Sequence, residues 1–221
     1  MLNVEMYQAV KAEVESANAT LVAVTKRQPL EVIQALYDLG QRDFGENRVP
    51  ELVEKHAALP KDIRWHFIGH LQRNKVKAIA PFIHLIHSGD SARLILEIAK
   101  EARKNDRTIS VLLQFHIAQE ASKYGLSPTQ PAAILRELKL DELSGKVNLV
   151  GVMGMATYTE LDEDIAEEFA LLRETFETLK ETTSLGEIAA FKEISMGMSG
   201  DYQIALQQGS TMVRVGSLLY Q

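Results

Sequence analysis

The chain has 221 residues, 46% hydrophobic and 24% charged, enough for one large core and within the range of a single α/β barrel. Lys plus Arg total 24 against 30 for Asp plus Glu, a formal charge of −6, which gives no general attraction to nucleic acid or anionic membranes, so any anion site must be local. Cysteine is absent, which removes disulfides and thiolate chemistry, and no apolar run matches a secretory signal or is long enough to span a bilayer; a soluble, cytoplasmic protein is expected.

In chain order, Val4, Val10 and Val14 share one side of an N-terminal helix within residues 1–19, and Leu21 to Thr25 reads as a buried strand that ends in Lys26. Pro29 suits a helix start, and Leu30, Ile33, Leu36 and Tyr37 form an apolar stripe closed by Gly40. The alternation then repeats. Strands are expected at 43–46, 65–69, 83–87, 109–115, 147–153, 191–195 and 211–215. Helical segments follow around Val49–His56, a short basic stretch at Gln72–Ala78, Leu94–Ala102, Pro131–Leu138, Ile165–Leu179 and Asp201–Gln207. Eight strands, seven of them followed by a helix, predict parallel pairing through right-handed crossovers and a closed (β/α)8 TIM barrel over 20–221 with an extra N-terminal helix, all in one domain, with an open doubly wound sheet as the alternative.

In such a barrel the strand C-termini share one rim, where chemistry collects. Two readings fit Lys26: its ammonium snorkels to solvent, or partial desolvation leaves a nucleophilic amine able to condense with an aldehyde. Ser199-Gly200-Asp201 and Gly216-Ser217 sit after strands seven and eight, where barrels often hold phosphate, and each pair taken alone is also an ordinary cap or turn. Alternation turns Met212, Arg214 and Gly216 to one face of the last strand. Arg214 then needs an anion or a neutral acceptor, with a structural ion pair to Glu193 or Asp201 equally compatible. His66 fits a hydrogen-bonded core histidine as well as a site residue, and Asn47 fits a cap for the helix near Arg48. Arg73, Lys75 and Lys77 read as a solvated face. The six histidines and the carboxylates lack dense metal-ligand spacing, and no metal is expected.

The blocks Leu21-Val22-Ala23-Val24-Thr25-Lys26, Phe44-Gly45-Glu46-Asn47, Trp65-His66-Phe67-Ile68-Gly69, Glu193 to Ser199 and Gly209 to Gly216 resemble, in the same order and without a large gap, the YggS/PROSC family. These are pyridoxal 5′-phosphate (PLP, a vitamin B6 form) homeostasis proteins. The resemblance implies an alanine racemase N-terminal-domain-like barrel holding PLP as a Schiff base on Lys26. It further implies that Ser199, Gly216 and Ser217 bind the phosphate beside Met198, that Arg214 faces the pyridine nitrogen, and that Asn47, His66, Met155 and Ser195 lie near the cofactor. His70, His116 and the Tyr220-Gln221 ending depart from the family pattern.

A guanidinium at the pyridine nitrogen weakens the ring as an electron sink. Racemases with this arginine add a tyrosine from another domain, which the single-domain reading does not supply; Tyr124 and Tyr158 are the local substitutes. The function expected is therefore non-catalytic: a monomeric carrier or regulator of PLP that passes it to PLP-dependent enzymes, without nucleic-acid or membrane partners. The alternatives are a low-activity PLP-dependent amino-acid racemase and a sugar-phosphate barrel that uses a Lys26 imine without PLP.

Overall fold

The computed structural model describes residues 1–119, 124–138, 143 and 145–220. Strands β1 (Thr20–Val24), β2 (Asp43–Glu46), β3 (Arg64–Phe67), β4 (Leu85–Gly89), β5 (Ile109–Gln114), β6 (Val147–Met153), β7 (Glu193–Ser195) and β8 (Met212–Val215) pair in sequence order, all parallel, and β8 returns to β1 to close the barrel. Among the described residues the α-helices are α1 (Val4–Ser16), α2 (Leu30–Asp38), α3 (Val49–Ala58), α4 (Val76–Ile79), α5 (Ala92–Lys104), α6 (Ala133–Glu137), α7 (Asp162–Thr182) and α8 (Tyr202–Gln207). Helix α1 begins where Asn3 accepts from the Met6 N–H, and it is tied across the chain by the Tyr202 hydroxyl, which donates to Glu13 at 2.6 Å.

The period of two in each strand separates two cores. Leu21, Ala23, Phe44, Trp65, Phe67, Val213 and Val215 point outward into the layer beneath the helices. Val22, Leu85, Leu112, Met153 and Met212 point inward and form a smaller apolar plug. The inward positions that follow in register are polar: Asp43 on β2, His66 on β3, His87 on β4, Ser195 on β7 and Arg214 on β8, all buried. A buried polar column of this kind persists only if its members satisfy one another.

Two irregularities mark the barrel, and the first shifts a sequence-based boundary. Strand β4 covers 85–89 rather than 83–87, because the carbonyls of Ile83 and Ala80 are taken by the Arg107 guanidinium, holding that segment in the preceding turn. Ser88 and Gly89, beyond the expected 83–87, therefore lie within the strand. In β6 the register with β5 slips between Val111 and Leu112, so Leu149 faces outward, Val150 packs against the inner plug and Met153 again faces inward. Gly151 is at the slip with φ +154°, and a Cβ there would lie 1.8 Å from the Glu193 carbonyl oxygen. Among the described residues no helix is long and apolar enough to cross a membrane.

Candidate functional site

Strands β7, β8 and β1 are neighbours, so the loops that follow them share one sector of the C-terminal rim. Lys26 stands two residues past β1, exposed, and its amine meets no hydrogen-bond or ion-pair partner among the described residues. Its backbone is anchored from below. Lys55 on α3 donates to the Thr25 carbonyl at 2.8 Å and to Glu46 Oε1 at 2.7 Å, and the Thr25 hydroxyl donates to the same Oε1 at 2.7 Å. Burial raises the Glu46 carboxyl above its ordinary range, against the hydrogen bonds from Lys55 and Thr25.

On the other side of the sector, the Ser199 hydroxyl accepts from the Gly216 N–H at 3.0 Å and the Leu218 N–H at 3.5 Å, linking the two loops. Asp201 is the residue before α8, and its Oδ1 accepts from the Met198 N–H at 2.5 Å. The N–H groups of Ser199, Gly200 and Ser217 find no acceptor among the described residues. Gly197 has φ +94°, and a Cβ on it would come within 2.5 Å of Ala205 Cβ, so the turn leaving β7 packs directly on α8.

Between these features lies Arg214, buried, donating from Nη1 to Ser195 Oγ at 2.6 Å and from Nη2 to the Gly154 carbonyl at 3.1 Å. Burial lowers its pKa to about 10, opposed by the charge of Asp201, so it stays cationic at neutral pH. From Ser195 a chain of contacts runs down the barrel: Ser195 Oγ to His87 Nδ1 at 3.0 Å, His87 Nε2 to His66 Nδ1 at 2.9 Å, and His66 Nε2 to Asp43 Oδ1 at 3.0 Å. Arg64 closes the bottom, with Nε 2.7 Å and Nη2 2.5 Å from the two Asp43 oxygens. Burial alone would raise the Asp43 carboxyl, yet hydrogen bonds from Arg64 and His66 hold it well below the usual carboxylate range. Burial also drives the His87 pKa well below that of a free imidazole, with repulsion from the Arg214 guanidinium adding to the effect.

The family described as "Alanine racemase, N-terminal domain" matches residues 5–221. The pyridoxal phosphate homeostasis protein of Aquifex aeolicus is 39% identical over 204 residues, 91% of this chain and 86% of that protein. The chain belongs to the pyridoxal phosphate homeostasis protein family. PipY of Synechococcus elongatus, solved without PLP, superposes on this family member with a TM-score of 0.89 at 31% identity, covering 98% of this chain and 99% of that one. A second PipY structure, described as having PLP bound, gives a TM-score of 0.85 at 30% identity, with 98% and 99% covered.

In this homeostasis-family barrel the structure brings Lys26, Ser199, Gly216, Ser217, Ser195 and Arg214 into one sector. Met198, 39% exposed, stands in the same loop, and half-buried Met155 follows Gly154, whose carbonyl holds Arg214. Where two readings were open the structure selects one, and for Asn47 and Ser199 it excludes a cap. Lys26 is exposed, the solvent-facing one of its two readings, because β1 ends before it and the turn carries it into solvent. His66 takes the hydrogen-bonded core reading and lies below the rim, three hydrogen bonds from Arg214 by way of His87 and Ser195. Asn47 does not cap α3; the residue before that helix is Arg48, and Asn47 instead packs its backbone against Gly69, where a Cβ would meet the Asn47 carbonyl oxygen at 2.4 Å. Ser199 does not cap α8, because its hydroxyl is turned to the β8 loop. Arg214 takes neutral acceptors, while Glu193 accepts from the Thr211 hydroxyl.

His87 and Asp43 were not legible as members of this array. The signal available was parity: each shares the inward face with its neighbour two positions along the strand or with a paired strand's polar residue. Asp43, His66 and His84 also bring donor atoms within 4.8 Å of one another, but Arg64 already holds both Asp43 oxygens, which leaves no free carboxylate for a cation. Of the departures from the family pattern, His70 contacts Asp90 at 3.2 Å and stacks on Tyr124, His116 Nδ1 is buried without a partner among the described residues, and the Tyr220 pKa is raised by burial and by the charge of Glu46. Gln221 lies outside the described residues.

Proposed function

We propose that this chain binds pyridoxal 5′-phosphate at the C-terminal rim and serves intracellular PLP homeostasis as a carrier or regulator, without substrate turnover. The observation that carries this reading is the pairing, on adjacent strand ends, of an exposed amine at Lys26 with three N–H groups at Ser199, Gly200 and Ser217, all without a partner among the described residues. An aldehyde that also bears a phosphate fits both ends, and Arg214, fixed by Ser195 and Gly154, supplies a donor for a ring nitrogen between them.

The residues divide the work. Lys26 takes the aldehyde carbon with loss of water, a reversible capture. Ser199, Gly216 and Ser217 anchor the phosphate through backbone and hydroxyl groups. Arg214 donates a hydrogen bond and keeps the ring nitrogen unprotonated. Bound PLP supplies an electrophilic carbonyl and, in enzymes, an electron sink; here the guanidinium limits the second property. Asn47, Met155 and Met198 border this sector, and His66 acts from below it.

The non-catalytic half of the reading is supported by the placement of the two tyrosines considered as proton donors. Tyr124 is stacked on His70 with ring centroids 4.1 Å apart, and Tyr158 is 99% exposed. The names of the relatives point the same way. A monomer that delivers PLP to apo-enzymes completes the proposal.

Borohydride reduction of the PLP-treated protein, followed by peptide mapping, is expected to label Lys26, and Lys26→Ala is expected to abolish the label. Label on another lysine with Lys26 unmodified overturns the binding reading. Deuterium exchange at the α-carbon of added amino acids is expected to stay at the rate of free PLP; catalysed exchange would favour the racemase alternative.

A further inference from the structure

The buried column beneath Arg214 has a direction, and its two ends determine it. Asp43 is held ionised by the two-pronged contact with Arg64, so it can only accept. His66 Nε2, 3.0 Å away, must therefore carry the hydrogen, since two acceptors at that distance would repel. The positive charge of Arg64 already matches that of Asp43, so a second cation on His66 would lack a counter-charge, and neutral His66 leaves Nδ1 as an acceptor. His87 Nε2 must then donate to it, which leaves His87 Nδ1 as an acceptor for the Ser195 hydroxyl hydrogen. With its hydrogen committed to His87, Ser195 Oγ turns a lone pair to Arg214 Nη1. Each link meets donor with acceptor, and every hydrogen points toward the bottom of the barrel.

We propose that Asp43, His66 and His87 are positioning residues that fix the Ser195 hydroxyl and, through it, hold Arg214 in the orientation that faces the ring nitrogen of bound PLP. The column does not conduct protons, because a guanidinium at one end and an ion-paired carboxylate at the other both keep their charge at neutral pH. It polarises. A rigid acceptor at Ser195 confines Arg214 to one rotamer in a barrel whose neighbouring interior side chains, Met153 and Met212, are apolar and flexible. The assignment of Arg214 to the ring nitrogen rests on the function proposed above, whereas the hydrogen-bond direction does not.

Long-range ¹H–¹⁵N NMR on the protein without added PLP reads the histidine tautomers directly. The expected result at neutral pH is the neutral Nε2–H form for both His66 and His87. A doubly protonated His66, or a His87 with hydrogen on Nδ1, overturns the proposed direction. With ¹⁵N-labelled PLP as the probe, His87→Phe is expected to move the ring-nitrogen shift and to weaken PLP binding about tenfold while Lys26 remains the labelled residue at saturation. Ser195→Ala, which removes one small group, is expected to give the same ring-nitrogen change and serves should His87→Phe fail to fold. An unchanged ring-nitrogen signal in a folded variant overturns the positioning role. If wild-type Lys26 takes no label while the tautomers are as stated, the binding reading fails and the column stands.

Discussion

Lys55 Nζ lies 2.7 Å from Glu46 Oε1 and also reaches the Thr25 carbonyl, so one buried ammonium joins α3, the end of β2 and the turn that presents Lys26. Both side chains are nearly inaccessible, at 8% and 0%. Removing the ammonium alone strands a carboxylate in the interior. Lys55→Met is therefore expected to lower the unfolding free energy by about 3–5 kcal/mol, measured by urea titration, and the double variant Lys55→Met, Glu46→Leu to recover most of it. Recovery without return of PLP capture would show that the Thr25 carbonyl contact acts separately in setting Lys26.

The Ser199 hydroxyl is the link between the β7 and β8 loops, accepting from Gly216 and Leu218 N–H groups. Ser199→Ala removes that link and one hydroxyl donor for an anion. PLP affinity, followed by titration of its visible absorbance, is expected to fall about tenfold, the effect of one hydrogen bond to a charged group. The Lys26 label at saturating PLP should persist, since the amine is untouched.

Much of this architecture was legible because it depends on local pattern. Strands β2 and β6 fall where alternation and apolar runs place them, and Arg214 shares its inward face with Met212 as the period of two requires. What escaped depends on distant partners. His87 sits in an apolar strand and reads as core, and its role emerges only from Ser195, 108 residues away, and His66, 21 residues away. The exposure of Lys26 was one of two readings open in the sequence: an apolar strand suggests burial to its end, but the turn at Lys26 and Arg27, with Arg27 at φ +63°, lifts the amine out. The slip at Gly151 reverses side-chain parity in β6, which no count of alternating residues reveals.

Gly197 couples the phosphate loop to α8. Its φ of +94° disfavours any side chain, and an added Cβ would meet Ala205 Cβ at 2.5 Å. Gly197→Ala is expected to cost about 1–3 kcal/mol in unfolding free energy and to weaken PLP binding, because relief of the clash moves the segment that carries Ser199. Gly200→Ala is the matched control: a Cβ there meets nothing within 4 Å, and stability is expected to change little.

The buried column makes the fold acid-sensitive in two steps. His87 has a folded-state pKa far below its unfolded value of about 6.5, so below that pH the unfolded chain binds a proton the folded chain refuses. Stability is then present in full above about pH 6.5 and declines as pH falls, by up to about 1.4 kcal/mol per pH unit for this one group. His84, its pKa lowered to about 4 chiefly by desolvation, adds a smaller slope in the same window because its ring is partly in solvent. Asp43 acts later: its carboxyl is depressed, so its contribution is complete above the unfolded value near 3.9 and is lost as pH drops below it. Urea unfolding at pH 7.5, 6.0, 5.0 and 4.0 is expected to show the decline, and His87→Phe to flatten it between 6.5 and 4. An equal slope in that variant would assign the acid sensitivity to other groups.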